Sequence, residues 1–105
     1  AVLAMIFLLA TVWAPIVEES IFRGALYRAL RGRFWLLGAG FISAFVFAAV
    51  HGYVAVQLLM VFTLGVVFAV MREWRNSLVP CGTAHAMHNG FAMTVMLTAS
   101  WFMRG

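Results

Sequence analysis

AVLAMIFLLATVWAPIVEESIFR, residues 1–23, decides the fold. Seventeen residues pass without a charge, and then Glu18 and Glu19 stand side by side with Arg23 four positions after the second. A bilayer core of about 30 Å takes about 20 helical residues to cross, so an apolar run of this length reads as a membrane helix. An ionised side chain inside such a helix costs on the order of 3 kcal/mol unless it is paired or hydrated, which makes acids placed there functional candidates. Pro15 interrupts the run. Without an N–H it leaves the carbonyl of Thr11 unpaired about one turn before Glu18, which predicts a kink.

The rest of the chain has the same character. Hydrophobic residues make up 66% and charged residues 10%, with a mean hydropathy of +1.04. A soluble domain of this size would have too little polar surface to present to water. The acids are Glu18, Glu19 and Glu73, and there is no aspartate. All seven basic residues are arginines. They fall between apolar blocks instead of forming a stripe interleaved with polar residues, so they orient loops and do not describe a nucleic-acid partner. One cysteine, Cys81, permits no internal disulfide. The chain opens on Ala1 inside an apolar run with no charged leader, so residues 1–105 read as a single domain excised from a longer polytopic chain and not as a signal peptide.

Four apolar segments follow one another: Ala1 to Val17 with an amphipathic continuation to Leu30, Phe34 to Val50, Val54 to Met71, and Leu78 to Phe102. The expected fold is all-α, a polytopic transmembrane helix bundle with about four membrane helices forming the core of a larger membrane protein. Alternation puts the Arg31 and Arg72 loops on one face and the His51 loop on the other. Arginine excess marks the first face as cytoplasmic, with Arg104 at the far end opposing it. Measured from that face along upright helices, Glu18 would lie roughly 20 Å deep, His51 roughly 25 Å and His85 about 10 Å. Tilt, or a break around Leu78-Val79-Pro80-Cys81-Gly82, must close the gap if these residues share a site.

Glu19 and Arg23 have the spacing and order of an i, i+4 ion pair, whereas the same position relative to Glu18 is held by Phe22. Glu18 is therefore a buried carboxylate without a local cation, suited to accept a proton once hydrated. His51 ends the second segment four residues after Phe47. In the fourth segment His85 and Asn89 share a helix face, with His88 to one side, and such a pair can present two donors to a single oxygen. Taken singly, each of these residues is accounted for by salt bridging or interhelical hydrogen bonding.

As a set, Glu18-Glu19-Ser20-Ile21-Phe22-Arg23-Gly24, then Phe47 with His51, then His85 with Asn89, the pattern resembles the CPBP family. That family groups type two CAAX prenyl endopeptidases, bacteriocin-processing and self-immunity proteins, and lysostaphin-resistance-like proteins. The resemblance covers essentially the whole chain, with His88 outside the motif. It implies an intramembrane endopeptidase in which Glu18 and His51 activate a water while His85 and Asn89 stabilise the tetrahedral oxyanion. It also implies supporting roles for Glu19, Arg23 and Phe47. The implied partners are membrane lipid and a peptide or protein substrate, either prenylated or a leader peptide, with no nucleic acid. The implied setting is an integral membrane protein of a prokaryotic plasma membrane.

Other protease chemistries lack their residues here. Presenilin-like enzymes need two aspartates, site-two zinc proteases carry His-Glu-x-x-His, and rhomboid-like enzymes need serine in a Gly-x-Ser-Gly context. Cys81 lies four residues before His85, weak support for a thiol nucleophile. The expectation is a reaction without cofactor. The alternative is zinc held by Glu18, His51 and His85, one oxygen and two nitrogens with an open fourth position. Glu18 would then cease to be the base and Glu19 would have to replace it. A non-catalytic membrane scaffold or chaperone-like subunit would use the same polar residues to hold helices together. A transporter is a weaker reading, since paired half-helices are lacking.

Overall fold

The computed structural model describes residues 1–105 and is all helical. Four helices follow the four apolar segments: α1 at Val2–Arg31, α2 at Leu36–Val50, α3 at Ala55–Arg75 and α4 at Val79–Arg104. Two of them, α1 and α3, are long and apolar enough to cross a membrane. At 15 residues α2 is about 22 Å long, shorter than a bilayer core. The 26 residues of α4 are diluted by Thr83, His85, His88, Asn89, Thr94 and Thr98. Only 17 of 105 residues are buried, and Trp35, Phe45, Val56, Phe91 and Trp101 are among many large apolar side chains left exposed. An apolar surface on that scale suits lipid and not water.

Winding in α1 departs from the expected simple kink. π-helical turns at Leu9–Trp13 and Ser20–Leu26 flank the α-helical stretch Ala14–Glu19 that carries both glutamates. The N–H of Ala14 bonds to the carbonyl of Leu9, an i to i+5 pairing. In that register the partner of the Ala10 carbonyl falls on residue 15, a proline with no N–H. The unpaired oxygen is therefore that of Ala10, one position earlier than uniform α-helical pairing predicts.

α2 and α3 approach closely through small residues. Ala39, Gly40, Ser43, Ala44 and Ala48 form the buried face of α2, with Gly65 and Ala69 opposite on α3. A Cβ on Gly65 would stand 2.9 Å from both Cα and Cβ of Ala44, so the backbones meet only because residue 65 is glycine. Gly52 at φ 69° and Asn76 at φ 49° take the left-handed conformation that stops helices after α2 and α3.

α4 runs antiparallel to α1: Leu78 lies against Gly24 and Gly90 lies by Thr11. The ends of α1 and α3 meet where Arg31 Nη2 reaches Glu73 Oε1 at 2.8 Å, which joins the Arg31 and Arg72 loops on one face as alternation predicts. At 30 residues α1 is about 45 Å long, more than a bilayer core, and so it tilts or protrudes. The expected break around Leu78-Val79-Pro80-Cys81-Gly82 is not found: Pro80 sits in the first turn of α4, where its missing N–H costs no helical bond, and the helix is continuous from Val79 to Arg104.

Candidate active site

Glu18 and Glu19 are adjacent on α1 and so point about 100° apart, one toward α2 and the other toward the interior. Glu19 is 1% exposed and Arg23 fully buried, and they form the expected pair, Nη1 to Oε1 at 3.2 Å. A buried guanidinium needs more than one partner. Arg23 Nη2 donates to the carbonyl of Gly65 at 2.8 Å, and its guanidinium carbon lies 4.4 Å from the Phe47 ring centre and 5.2 Å from that of Phe68. α1, α2 and α3 are thereby tied at one point by one side chain.

Phe47 is the hub on α2. Its ring meets Phe22 edge-on at 5.1 Å, His51 at 4.5 Å and His85 at 5.8 Å. Phe68 stacks on His85 at 5.0 Å with 21° between the planes. These aromatic faces fix where the two imidazoles sit before any polar contact is made.

Both histidines turn Nε2 toward Glu18. His85 Nε2 lies 3.1 Å from Glu18 Oε2 and His51 Nε2 lies 3.6 Å from Glu18 Oε1. The Nδ1 atoms are anchored from behind, His51 by the carbonyl of Phe47 at 2.6 Å and His85 by Glu19 Oε1 at 2.7 Å. A carbonyl only accepts, so His51 Nδ1 carries the proton, and in the neutral ring Nε2 is a lone pair facing a carboxylate. Two acceptors 3.6 Å apart do not bond each other, but a water can donate one hydrogen to each. His85 faces carboxylate oxygen on both nitrogens and satisfies both only when each carries a proton. With Arg23, that closes the charge of the two glutamates to zero.

The structure thus brings together Glu18, His51 and His85, with Glu19, Arg23 and Phe47 around them. Asn89 is placed differently from the expectation. Its Nδ2 donates to the carbonyl of Ala10 at 2.9 Å, one turn beyond His85 on α4. The π turn in α1 and the missing N–H of Pro15 leave that oxygen open, and Asn89 fills it. His88 is exposed and stands outside the cluster. Cys81 is buried and bonds back to the carbonyl of Leu78. Glu18, His51 and His85 are also the residues of the alternative zinc set, with both Nε2 atoms facing the Glu18 carboxylate.

Sequence reasoning missed Gly65 and Phe68, which hold Arg23 and His85. They lie three residues apart on the buried face of α3, so helical spacing could have grouped them. It could not have aimed them at α1.

An apolar groove of about 440 Å³ between α1 and the start of α4, lined by Pro15, Ile16, Leu78, Thr83 and Met87 among others, reaches the site on the Glu19 side. Glu18 and His51 lie off this groove.

No curated protein and no solved structure matches the chain. The model of one family, described as type II CAAX prenyl endopeptidase Rce1-like, matches residues 1–91. The chain belongs to that family of membrane-embedded proteases.

Proposed function

We propose that this chain is the catalytic core of an intramembrane endopeptidase in which Glu18 and His51 activate a water. The observation that carries this reading is the Glu18 carboxylate set against Nε2 of both His51 and His85, with each ring held from its Nδ1 side. Hydrolysis inside a membrane needs a held water, a base and donors aimed at the developing oxyanion. Water bridging Glu18 and the His51 lone pair gives a proton to Glu18 as its oxygen attacks the peptide carbonyl carbon. The carbonyl electron pair moves onto oxygen, where the Nε2–H of His85 stabilises it. Asn89 donates one amide hydrogen to Ala10 and keeps a second for the same oxyanion. Collapse breaks the C–N bond, and Glu18 returns its proton to the leaving amine.

Glu19 and Arg23 position His85 and seat the glutamate turn against α3. In this reading α2 and α4 are embedded beside α1 and α3, making four membrane helices in a prokaryotic plasma membrane. The substrate is a membrane-bound peptide, prenylated or a leader sequence.

The zinc-dependent version would use Glu18, His51 and His85 as ligands. Direct approach of His85 Nε2 to Glu18 at 3.1 Å and occupation of Glu19 by Arg23 and His85 favour the metal-free route, because they leave Glu18 as the available base. A non-catalytic scaffold would survive Glu18→Gln, since the hydrogen bonds to the histidines can be kept. The experiment is to identify peptides that accumulate in cells when the full-length protein carries Glu18→Gln. Accumulation of uncleaved membrane peptides supports the peptidase. An unchanged peptide complement contradicts it.

A further inference from the structure

Five of the six arginines outside the active site collect at the far end of α1. Arg28, Arg31 and Arg33 end α1 or follow it, and Arg72 and Arg75 lie in the last turn of α3. Between these ends lies a polar pocket of about 350 Å³ lined by Tyr27, Arg28, Arg31, Arg72, Glu73 and Asn76. Three guanidinium groups face one carboxylate there, a formal charge of +3 − 1 = +2.

The single acid is already committed. Glu73 accepts from Arg31 at 2.8 and 3.0 Å and from the Tyr27 hydroxyl at 2.7 Å. This network braces one wall of the pocket and neutralises Arg31. It leaves Arg28 and Arg72 without an acidic partner. Arg72 Nη1 donates only to the neutral Asn76 Oδ1 at 2.9 Å, and its Nε is enclosed with no partner at all. One enclosed donor on Arg72 and the exposed, uncompensated guanidinium of Arg28 on the same pocket call for an anion with several acceptor oxygens, and a phosphate matches that fork.

The surroundings say where the phosphate comes from. Trp35 and Trp74 are exposed at this same end, and Trp with Arg at helix termini marks headgroup level in a bilayer. Basic pockets between membrane helices at that level take anionic lipid heads. We propose that Arg28 and Arg72 form a phosphate site, occupied by the headgroup of an anionic phospholipid. The site lies well along α1 from Glu18 and does not depend on the peptidase reading.

The test is native mass spectrometry of the full-length protein, purified in detergent and titrated with phosphatidylglycerol, phosphatidylcholine or inorganic phosphate. Wild type is expected to retain phosphatidylglycerol over phosphatidylcholine by about 10-fold or more, the order that two arginines supply near an anionic surface. Arg28→Gln with Arg72→Gln should abolish the preference while Arg104→Gln, at the other end of the chain, keeps it. Both changes spare the Arg31–Glu73–Tyr27 network. If the double variant does not fold, Arg28→Lys with Arg72→Lys serves instead, and retains charge while losing part of the preference. Binding of inorganic phosphate without lipid, lost in the double variant, would keep the phosphate site and assign it a free ligand. Equal retention of the two lipids, or a preference that survives Arg28→Gln with Arg72→Gln, would overturn the proposal.

Discussion

His85 Nδ1 lies 2.7 Å from Oε1 of Glu19, the oxygen that also accepts from Arg23 at 3.2 Å. The second glutamate therefore sets the orientation of the ring whose other nitrogen meets the first. Behind an imidazole that carries a proton on each nitrogen, such a carboxylate fixes the ring plane, and the loss of the comparable carboxylate behind a metal-bound histidine costs about 10–100-fold. Glu19→Gln is accordingly expected to lower kcat by about that factor with little change in KM. Steady-state kinetics on the full-length enzyme checks it. An equal rise in KM with unchanged kcat would remove Glu19 from this role.

Asn89 and Pro15 are coupled through the carbonyl of Ala10. Removing the amide leaves that part-buried oxygen unpaired, at about 1 kcal/mol. Pro15→Ala returns an N–H to the helix, and so should shrink the stability cost of Asn89→Ala. Thermal unfolding of both single variants and the double variant measures the coupling. Activity should still fall about 100-fold in either background if the second amide hydrogen serves the oxyanion. Additive stability effects would contradict the pairing.

Gly65→Ala places a methyl 2.9 Å from the Cα and Cβ of Ala44 and 3.2 Å from Arg23 Nη2. Backbone does not yield as a side chain would, so α2 and α3 must separate. The expected loss is about 1–3 kcal/mol of stability, read as a lower unfolding temperature in detergent. Activity should fall as well, because Arg23 then loses its purchase on the Gly65 carbonyl.

Much of this was legible in local pattern. Helix limits followed from apolar run length, and the Glu19–Arg23 pair followed from i, i+4 spacing, since both are properties of neighbouring residues. The partners of Arg23 were not legible. Its bond to a glycine carbonyl 42 residues away uses an atom common to every residue, and so leaves no mark on composition. The anchor for Asn89 was missed for a related reason. Pro15 does announce an unpaired carbonyl, but which one depends on the π turn before it, and that winding has no mark in residue type or spacing. Tyr27 was read only as part of an amphipathic stretch, although its hydroxyl reaches Glu73 at 2.7 Å. Of the four spans expected from hydropathy, α1 and α3 have the length and apolarity to cross a membrane, while α2 provides 15 residues because helix length and not apolar segment length sets the reach.

Metal dependence separates the two hydrolytic routes. If Glu18 is the base, the purified full-length enzyme keeps its activity after strong chelation and contains no stoichiometric zinc. Zinc at one to one, with activity lost on chelation and restored by the metal, would make Glu18, His51 and His85 ligands. Glu19 would then become the candidate base.

The most direct measurement is the single-turnover rate of peptide-bond cleavage by the purified full-length protein carrying Glu18→Gln. Glutamine fills the same space and can bond to both histidines, yet cannot take a proton from water. The expected rate is lower than wild type by about 100-fold or more, the range that general-base catalysis supplies, with the thermal unfolding midpoint unchanged. Cleavage at the wild-type rate would contradict the account.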